Sequence, residues 1–308
     1  MTRFVRRLAL LAKTEVTYGT DSVPTGAANA MQVSNVEITP IAGSEINREL
    51  VLPYFGHQGA ILVQNHATIA FDVEVAGAGA AGDVPAYGPL LRAARRAEIV
   101  DAGVSVEYVP DAGVPDAVSM YYVLDGVRHI IVGARGSVSW SLAPAQIARY
   151  RFSMTGLLGT ITDQANPAVT LTGFIKPVPV NKANTAMSLH GWNAVAESLS
   201  IDLANQVEPR FLIGHESVEI TDTASTGTAV VEAKSLATKN WFDIALNHTT
   251  GALAVQHGTV TGNIVEFAAP AVQIGRPTQG QSQGIANYSL PLMLTPVAGN
   301  DELVITVR

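Results

Sequence analysis

Apolar and polar positions alternate most regularly over Ile147-Ala148-Arg149-Tyr150-Arg151-Phe152-Ser153-Met154. On a strand, Tyr150, Phe152 and Met154 fall on one face and Arg149, Arg151 and Ser153 on the other. The pattern recurs at Ile285-Ala286-Asn287-Tyr288-Ser289-Leu290-Pro291-Leu292, with Ile, Ala and Tyr in register. Upstream, Phe55-Gly56-His57-Gln58 leads into Ala60-Ile61-Leu62-Val63, and Ile213-Gly214-His215-Glu216 leads into Val218-Glu219-Ile220. A helical signal follows in each part, over residues 90–99 and 237–246, and then a β-rich run over 118–132 and 252–267. This shared order predicts a tandem duplication of one β-rich module.

Further strands are expected over 33–40, ended by Pro40 and Gly43, and over 66–76, where Ile69, Phe71, Val73 and Val75 alternate with Ala70, Asp72, Glu74 and Ala76. Others fall at 106–109, 118–124, 127–134, 138–141, 148–155, 195–205 and 211–222, with Asp125-Gly126 as a tight hairpin turn. Pro89 suits the first turn of a helix carrying Leu90, Leu91, Ala94 and Ala97 inward and Arg92, Arg95, Arg96 and Glu98 outward. The second helix has Trp241, Ile244 and Ala245 on its apolar side. Residues 44–53 read as a loop holding Glu45, Arg48 and Glu49. Residues 1–30 read as an arm, basic at Arg3, Arg6 and Arg7, with turn signals around Tyr18-Gly19 and Pro24-Thr25-Gly26. Pro167, Pro177 and Pro179 mark a crossing. The resulting division is an arm (1–30), a first domain (31–165), a linker (166–184) and a second domain (185–308).

Composition narrows the function classes. The 308 residues fit two domains better than one. Apolar residues make up 47%, enough for cores in both, while charged residues make up only 15%, so part of the surface is expected to be covered by partners. A net charge of −7 argues against a protein that works by neutralising phosphates. With no cysteine there is no disulfide, thiolate or cysteine-metal chemistry, which is consistent with assembly in a reducing cytoplasm. No apolar run reaches the roughly 20 residues of a bilayer span, and Lys13 and Glu15 interrupt the short apolar stretch after the N-terminal arginines, so neither membrane insertion nor export is expected.

Candidate chemistry is sparse. The histidines include no i, i+4 pair, and position 219 is Glu where His215-Glu216 would need a second zinc-binding histidine. The glycine-rich stretch at 77–82 lacks the Lys-Ser/Thr ending of a phosphate loop. Asp72 and Glu74 share one strand face, an arrangement able to hold a cation or exchange protons, but an exposed strand face explains it as well. Trp140, Trp192 and Trp241 are too dispersed for a stacking platform and read as core or interface anchors. No catalytic, cofactor or metal site is expected.

The opening stretch Leu11-Ala12-Lys13-Thr14-Glu15-Val16-Thr17-Tyr18-Gly19-Thr20-Asp21, with Pro24-Thr25 and Asn29-Ala30 after it, resembles the start of tail tube (major tail) proteins of long-tailed, non-contractile bacteriophages. The likeness continues through residues 33–40, 48–56 and 68–75, and more loosely through the second half. It implies a mainly β fold of two tandem β-sandwich domains, each with one flanking helix, whose inner sheets join those of neighbours into a β-barrel tube. Six such domains make a ring in that family, so three chains would suffice here, giving a pseudo-six-fold trimer. The implied function is a structural virion protein whose stacked rings carry the genome into the host. Its partners would be other copies of itself, tape measure protein and DNA in the bore, and terminator and baseplate proteins at the ends. The resemblance makes residues 44–53 a loop that packs on adjacent subunits, with Arg3, Arg6, Arg7, Tyr18, Glu45, Arg48 and Glu49 as inter-subunit candidates. An acidic bore would repel the DNA backbone, with Glu37, Asp72 and Glu74 as lining candidates and Glu219 and Asp222 as their counterparts in the second half. The competing readings are another ring-forming tail part, a terminator or baseplate hub, and a carbohydrate-binding β-sandwich, which would need a concave site with convergent groups.

Overall fold

The computed structural model describes residues 2–308. Strands hold 54% of the chain and two short helices 4%, so the fold is mainly β and consistent with a β-sandwich. In chain order the elements are β1 (Leu8–Thr14), β2 (Ala30–Met31), β3 (Ser34–Asn47), β4 (Ala60–Glu74), α1 (Gly88–Ala93), β5 (Arg96–Asp101), β6 (Ser105–Pro110), β7 (Val118–Leu124), β8 (Val127–Leu142) and β9 (Arg149–Asp163). After a segment whose only pairing is an isolated bridge, Ile147 to Pro179, come β10 (Thr185–Leu189), β11 (Trp192–Asn193), β12 (Ala196–Asp202), β13 (Asn205–Leu212), β14 (His215–Thr223), β15 (Thr226–Glu232), α2 (Trp241–Leu246), β16 (Thr250–His257), β17 (Val265–Ile274), β18 (Thr278–Ser282), β19 (Ile285–Thr295) and β20 (Val304–Val307).

Eight of these strands form one continuous run of antiparallel ladders, β3-β4-β9-β8-β12-β15-β19-β18. Alternation works as the sequence implied. Ile69, Phe71, Val73, Tyr150, Phe152 and Met154 are buried, as are Leu199, Ile201, Ala229, Val231, Leu290 and Leu292. The opposite face is polar. A second layer covers the buried face, with β1 between β2 and β7, and β5-β6-β20-β17-β16-β10 continuing it. The main core cluster runs through both halves of the chain, and a smaller one lies where β1 meets β7 and β8. Trp140 of β8 stacks on Phe267 of β17 at 4.8 Å between ring centroids, and Tyr150 meets the same ring edge-on.

Several sequence expectations are corrected. The N-terminal 30 residues are not an arm throughout: Leu10, Leu11 and Ala12 of β1 are buried between layers. Ala9–Ala12 is an apolar run with both faces covered, whereas residues 2–7 are exposed, as are Lys13, Val16 and Thr17 after it. The first helix stops at Ala93, because Arg95 takes a left-handed backbone (φ 63°), and the chain re-enters as β5. Arg96, expected on an exposed helix face, is 2% exposed. The second helix also begins late, at Trp241, where the Asn240 side chain accepts the Asp243 N–H at 3.1 Å. Pro40 and Gly43 do not end the strand that carries them. β3 continues to Asn47 through register shifts on both sides of Ala42, and an edge strand tolerates a residue without an N–H. The hairpin at Asp125-Gly126 forms as expected, with both residues at positive φ (40° and 96°).

Candidate assembly surfaces

The ladder between β8 and β12 places Leu142 opposite Leu199, Ser141 opposite Ser200, Trp140 opposite Ile201 and Ser139 opposite Asp202. It joins the sheet of the first half to the sheet of the second. A further clasp lies in the other layer, where β20 pairs with both β6 and β17. Arg96 on β5 secures it: its guanidinium donates to the Leu303 carbonyl at 3.0 Å and lies 4.0 Å from Glu302. Burial lowers the Arg96 pKa to about 10, with the Glu302 charge opposing the shift. A third contact needs glycine. Gly79 N–H donates to the Gly262 carbonyl at 2.9 Å, and a Cβ on Gly77 would lie 2.1 Å from that same oxygen. The small-residue stretch at 77–82 is thus where two backbones touch.

Similar strand pairs occur in the two halves. Val73 pairs with Tyr150 and Phe71 with Phe152, while Val231 pairs with Tyr288 and Ala229 with Leu290. The sequence offset that aligns His57 with His215 also aligns Val73 with Val231.

The ends of the eight-stranded run differ from its middle. β3 is bonded only to β4, and β18 only to β19; among the described residues neither has a second neighbour. Both edges are exposed, at Glu37 and Thr39 on β3 and over Thr278–Gln281 on β18.

The polar face carries Asp72 and Glu74 together, as alternation required, and the β3–β4 register brings Glu37 beside them. It also carries Arg149 and Arg151, which share the phase of Ser153 on β9. Arg151 bridges two of the candidates, at 3.1 Å from Asp72 and 3.2 Å from Glu37, and burial costs its charge less than these two carboxylates favour it, so its pKa is raised. Ser139, Ser141, Ser200, Thr226 and Thr228 continue the face across the joint, with Asp202 beside them. The face that carries these three acids is therefore hydroxyl-rich, with its charge partly paired.

Glu219 and Asp222 are not the register counterparts of Asp72 and Glu74; those positions are Val230 and Glu232. Both acids sit on β14, in the separate β13–β14 hairpin that leans on β8 and β9. Asp222 is exposed, and Glu219 pairs with Arg135. Arg135 is 3% exposed, donates to the Val218 carbonyl at 2.8 Å and lies over the Tyr18 ring at 4.7 Å. The Tyr18 hydroxyl donates to the Gly133 carbonyl at 3.2 Å and accepts the Val218 N–H. Burial raises its pKa. Tyr18, an inter-subunit candidate from sequence, is used inside the chain.

This explains the opening motif. The Glu15 carboxylate accepts from Gly133 N–H (2.7 Å), Gly19 N–H (2.7 Å) and the Ser119 hydroxyl (2.8 Å), and Asp21 accepts from the Tyr121 hydroxyl. The motif builds the seat on which β13–β14 rests. Arg135 was the member that sequence reading missed, since one arginine in a strand carries no local signal for its partner.

The remaining inter-subunit candidates fall in two groups. Arg3, Arg6, Glu45, Arg48 and Glu49 are exposed and, among the described residues, in no ion pair; Arg7 lies 3.5 Å from Asp125. The β3–β4 hairpin projects from the body with Val51 99%, Tyr54 68% and Phe55 107% exposed. Aromatic and aliphatic side chains at such exposure make this hairpin a candidate contact surface.

No curated protein matches the chain in sequence. The family model described as phage tail tube protein matches residues 6–292, spanning both halves, the joint and the opening motif. The chain therefore belongs to the phage tail tube protein family.

Proposed function

We propose that this chain is a tandem duplication of one tail tube module and that three copies close into a pseudo-six-fold ring. Rings stacked on one another would form the conduit through which the genome leaves the particle. The observation that carries this reading is the β8–β12 ladder, which joins the two halves edge to edge and leaves an unpaired edge at each far end. A free sheet edge is a template for another strand, and ring closure removes it. The projecting β3–β4 hairpin then packs on a neighbouring copy, and the exposed charges Arg3, Arg6, Glu45, Arg48 and Glu49 pair across or between rings.

The polar face of the joined sheet lines the bore. Glu37, Asp72, Glu74, Asp202 and Glu232 outnumber Arg149, Arg151 and Lys234, which pairs with Glu232, so the net field repels a phosphate backbone, while Arg151 and Lys234 limit its strength. Repulsion of this kind acts within roughly 8–10 Å at physiological salt. Hydroxyls between the charges keep the wall wet and offer DNA no counterion-releasing contact. The module is structural, without a catalytic role, and works in the virion tail after assembly in the host cytoplasm, beside tape measure, terminator and baseplate proteins.

Electron microscopy with mass measurement of the assembled particle tests this. Hollow tubes of stacked rings are expected, each ring weighing three times the chain's 32.3 kDa. Single closed rings that never stack would indicate a terminator, and a dispersed monomer would end the proposal.

A further inference from the structure

The joint inside the chain is a template for the joint between chains. Resting on the ring reading above, we infer that β18 of one copy adds to β3 of the next in a defined antiparallel register: Thr278 opposite Thr39, Gln279 opposite Ile38 and Gly280 opposite Glu37. Two chains of ladder equivalences lead to this register. β8 and β18 both run beside the repeated strand: Ser139, Trp140 and Ser141 pair with Arg151, Tyr150 and Arg149, and Thr278, Gln279 and Gly280 pair with Ser289, Tyr288 and Asn287. β18 is thus the second-half equivalent of the end of β8. On the other side, Ser200, Ile201 and Asp202 pair with Thr228, Gly227 and Thr226. Glu37, Ile38 and Thr39 pair with Ala70, Ile69 and Thr68, which hold the same places beside β9 as Thr228, Gly227 and Thr226 hold beside β19. Replacing each member of the β8–β12 ladder by its equivalent gives the three pairs.

The side chains agree with the register. Thr39 and Thr278 are exposed hydroxyls, as Ser139 and Asp202 are polar in the template. Glu37 faces the one position without a side chain, so its carboxylate stays free to meet Arg151. A slip by one residue would set Thr278, a polar-face residue, opposite Ile38, which the β3–β4 ladder holds on the core side, so the faces of the two strands would no longer match.

The chain has no cysteine, so an introduced pair reports cleanly. Within one chain Thr39 and Thr278 sit at opposite ends of eight strands, about 34 Å apart at ~4.8 Å per strand, beyond reach of a disulfide. Thr39→Cys/Thr278→Cys, assembled and oxidised with copper phenanthroline, is expected to give covalent dimers and trimers with trimer as the limit. It should cross-link about tenfold more than Thr39→Cys/Gln279→Cys, whose second thiol faces the other side. Wild-type protein supplies a second reading: backbone amides at 37–39 and 278–280 gain hydrogen-exchange protection on assembly. Rings that form with unchanged exchange at these amides, or that cross-link preferentially through the shifted pair, overturn the register and leave the ring intact. Failure of wild-type protein to form rings removes the ring reading and this inference with it.

Discussion

Two hairpins of this chain hold equivalent places and meet different fates. β13–β14 folds back onto the first half, with Val218 fully buried and Ile220 9% exposed. At the positions the repeat offset assigns to them in the β3–β4 hairpin, Ala60 is exposed and Leu62 is 54% exposed. The difference is not in the hairpins, since both are apolar enough to want cover. It lies in whether the chain supplies a seat. The first half provides one, built by Glu15, Tyr18 and Arg135; among the described residues the first-half hairpin has none. The sheet joints repeat the lesson. Inside the chain the β8 side of the joint presents Trp140, stacked on Phe267, whereas β18 presents Gln279 at the equivalent position. The internal joint is apolar on its core side, where Leu142 meets Leu199 and Trp140 meets Ile201. The external edge is short and polar, the composition that keeps an unpaired strand from aggregating before assembly.

The largest expected effect comes from breaking the internal joint. Trp140→Ala should lower folding stability by about 3–5 kcal/mol, the cost of emptying a large aromatic site in a core. Gln279→Ala, its external equivalent, should leave folding within about 0.5 kcal/mol of wild type and weaken only ring formation. Denaturant titration beside sizing of the assembled material separates the two. Equal loss of folding stability in both would mean that the external edge is already part of the monomer's core.

Next comes the clasp. Arg96→Ala leaves the Leu303 carbonyl without its donor and Glu302 without its counter-charge, and should cost about 3 kcal/mol. A smaller change would show that β20 holds on β17 alone.

The hairpins give a milder contrast. Arg135→Ala should cost about 2 kcal/mol by unseating β13–β14, and proteolysis within β13–β14 should accelerate. Phe55→Ser should leave the monomer within about 0.5 kcal/mol and impair assembly, because that ring is fully exposed. Faster cleavage at β3–β4 than at β13–β14 in the wild-type monomer checks the same point without a mutation.

The smallest effect is the pH dependence. His257, buried beside the Thr185 hydroxyl at 2.8 Å, has its pKa lowered chiefly by burial, and His129 and His190 are lowered for the same reason. A depressed folded-state pKa favours the neutral form, so the unfolded chain binds more protons as pH falls. The stabilisation is present above the ordinary histidine range and is lost as pH drops through it. Melting temperature should decline between about pH 7 and pH 5, and less so in His257→Gln.

How much of this was legible in the sequence follows from what is local. Alternation at 147–154 and 66–76 told which side chains are buried, because strand geometry sends neighbours to opposite faces whatever the fold. The same alternation put Asp72 and Glu74 on one polar face of their strand and Arg149 and Arg151 on the polar face of theirs; only the ladders brought Glu37 and the two arginines beside the acids. The opening motif and the repeat led to the family. What only the tertiary structure decided is which edges meet. Backbone donors and acceptors look alike along every strand, so no window of sequence says that β8 takes β12, that β20 bridges β6 and β17, or that β3 and β18 are left open. The same holds for Arg96, drawn as a solvated helix residue by local periodicity and buried because a strand from the far end of the chain closes over it.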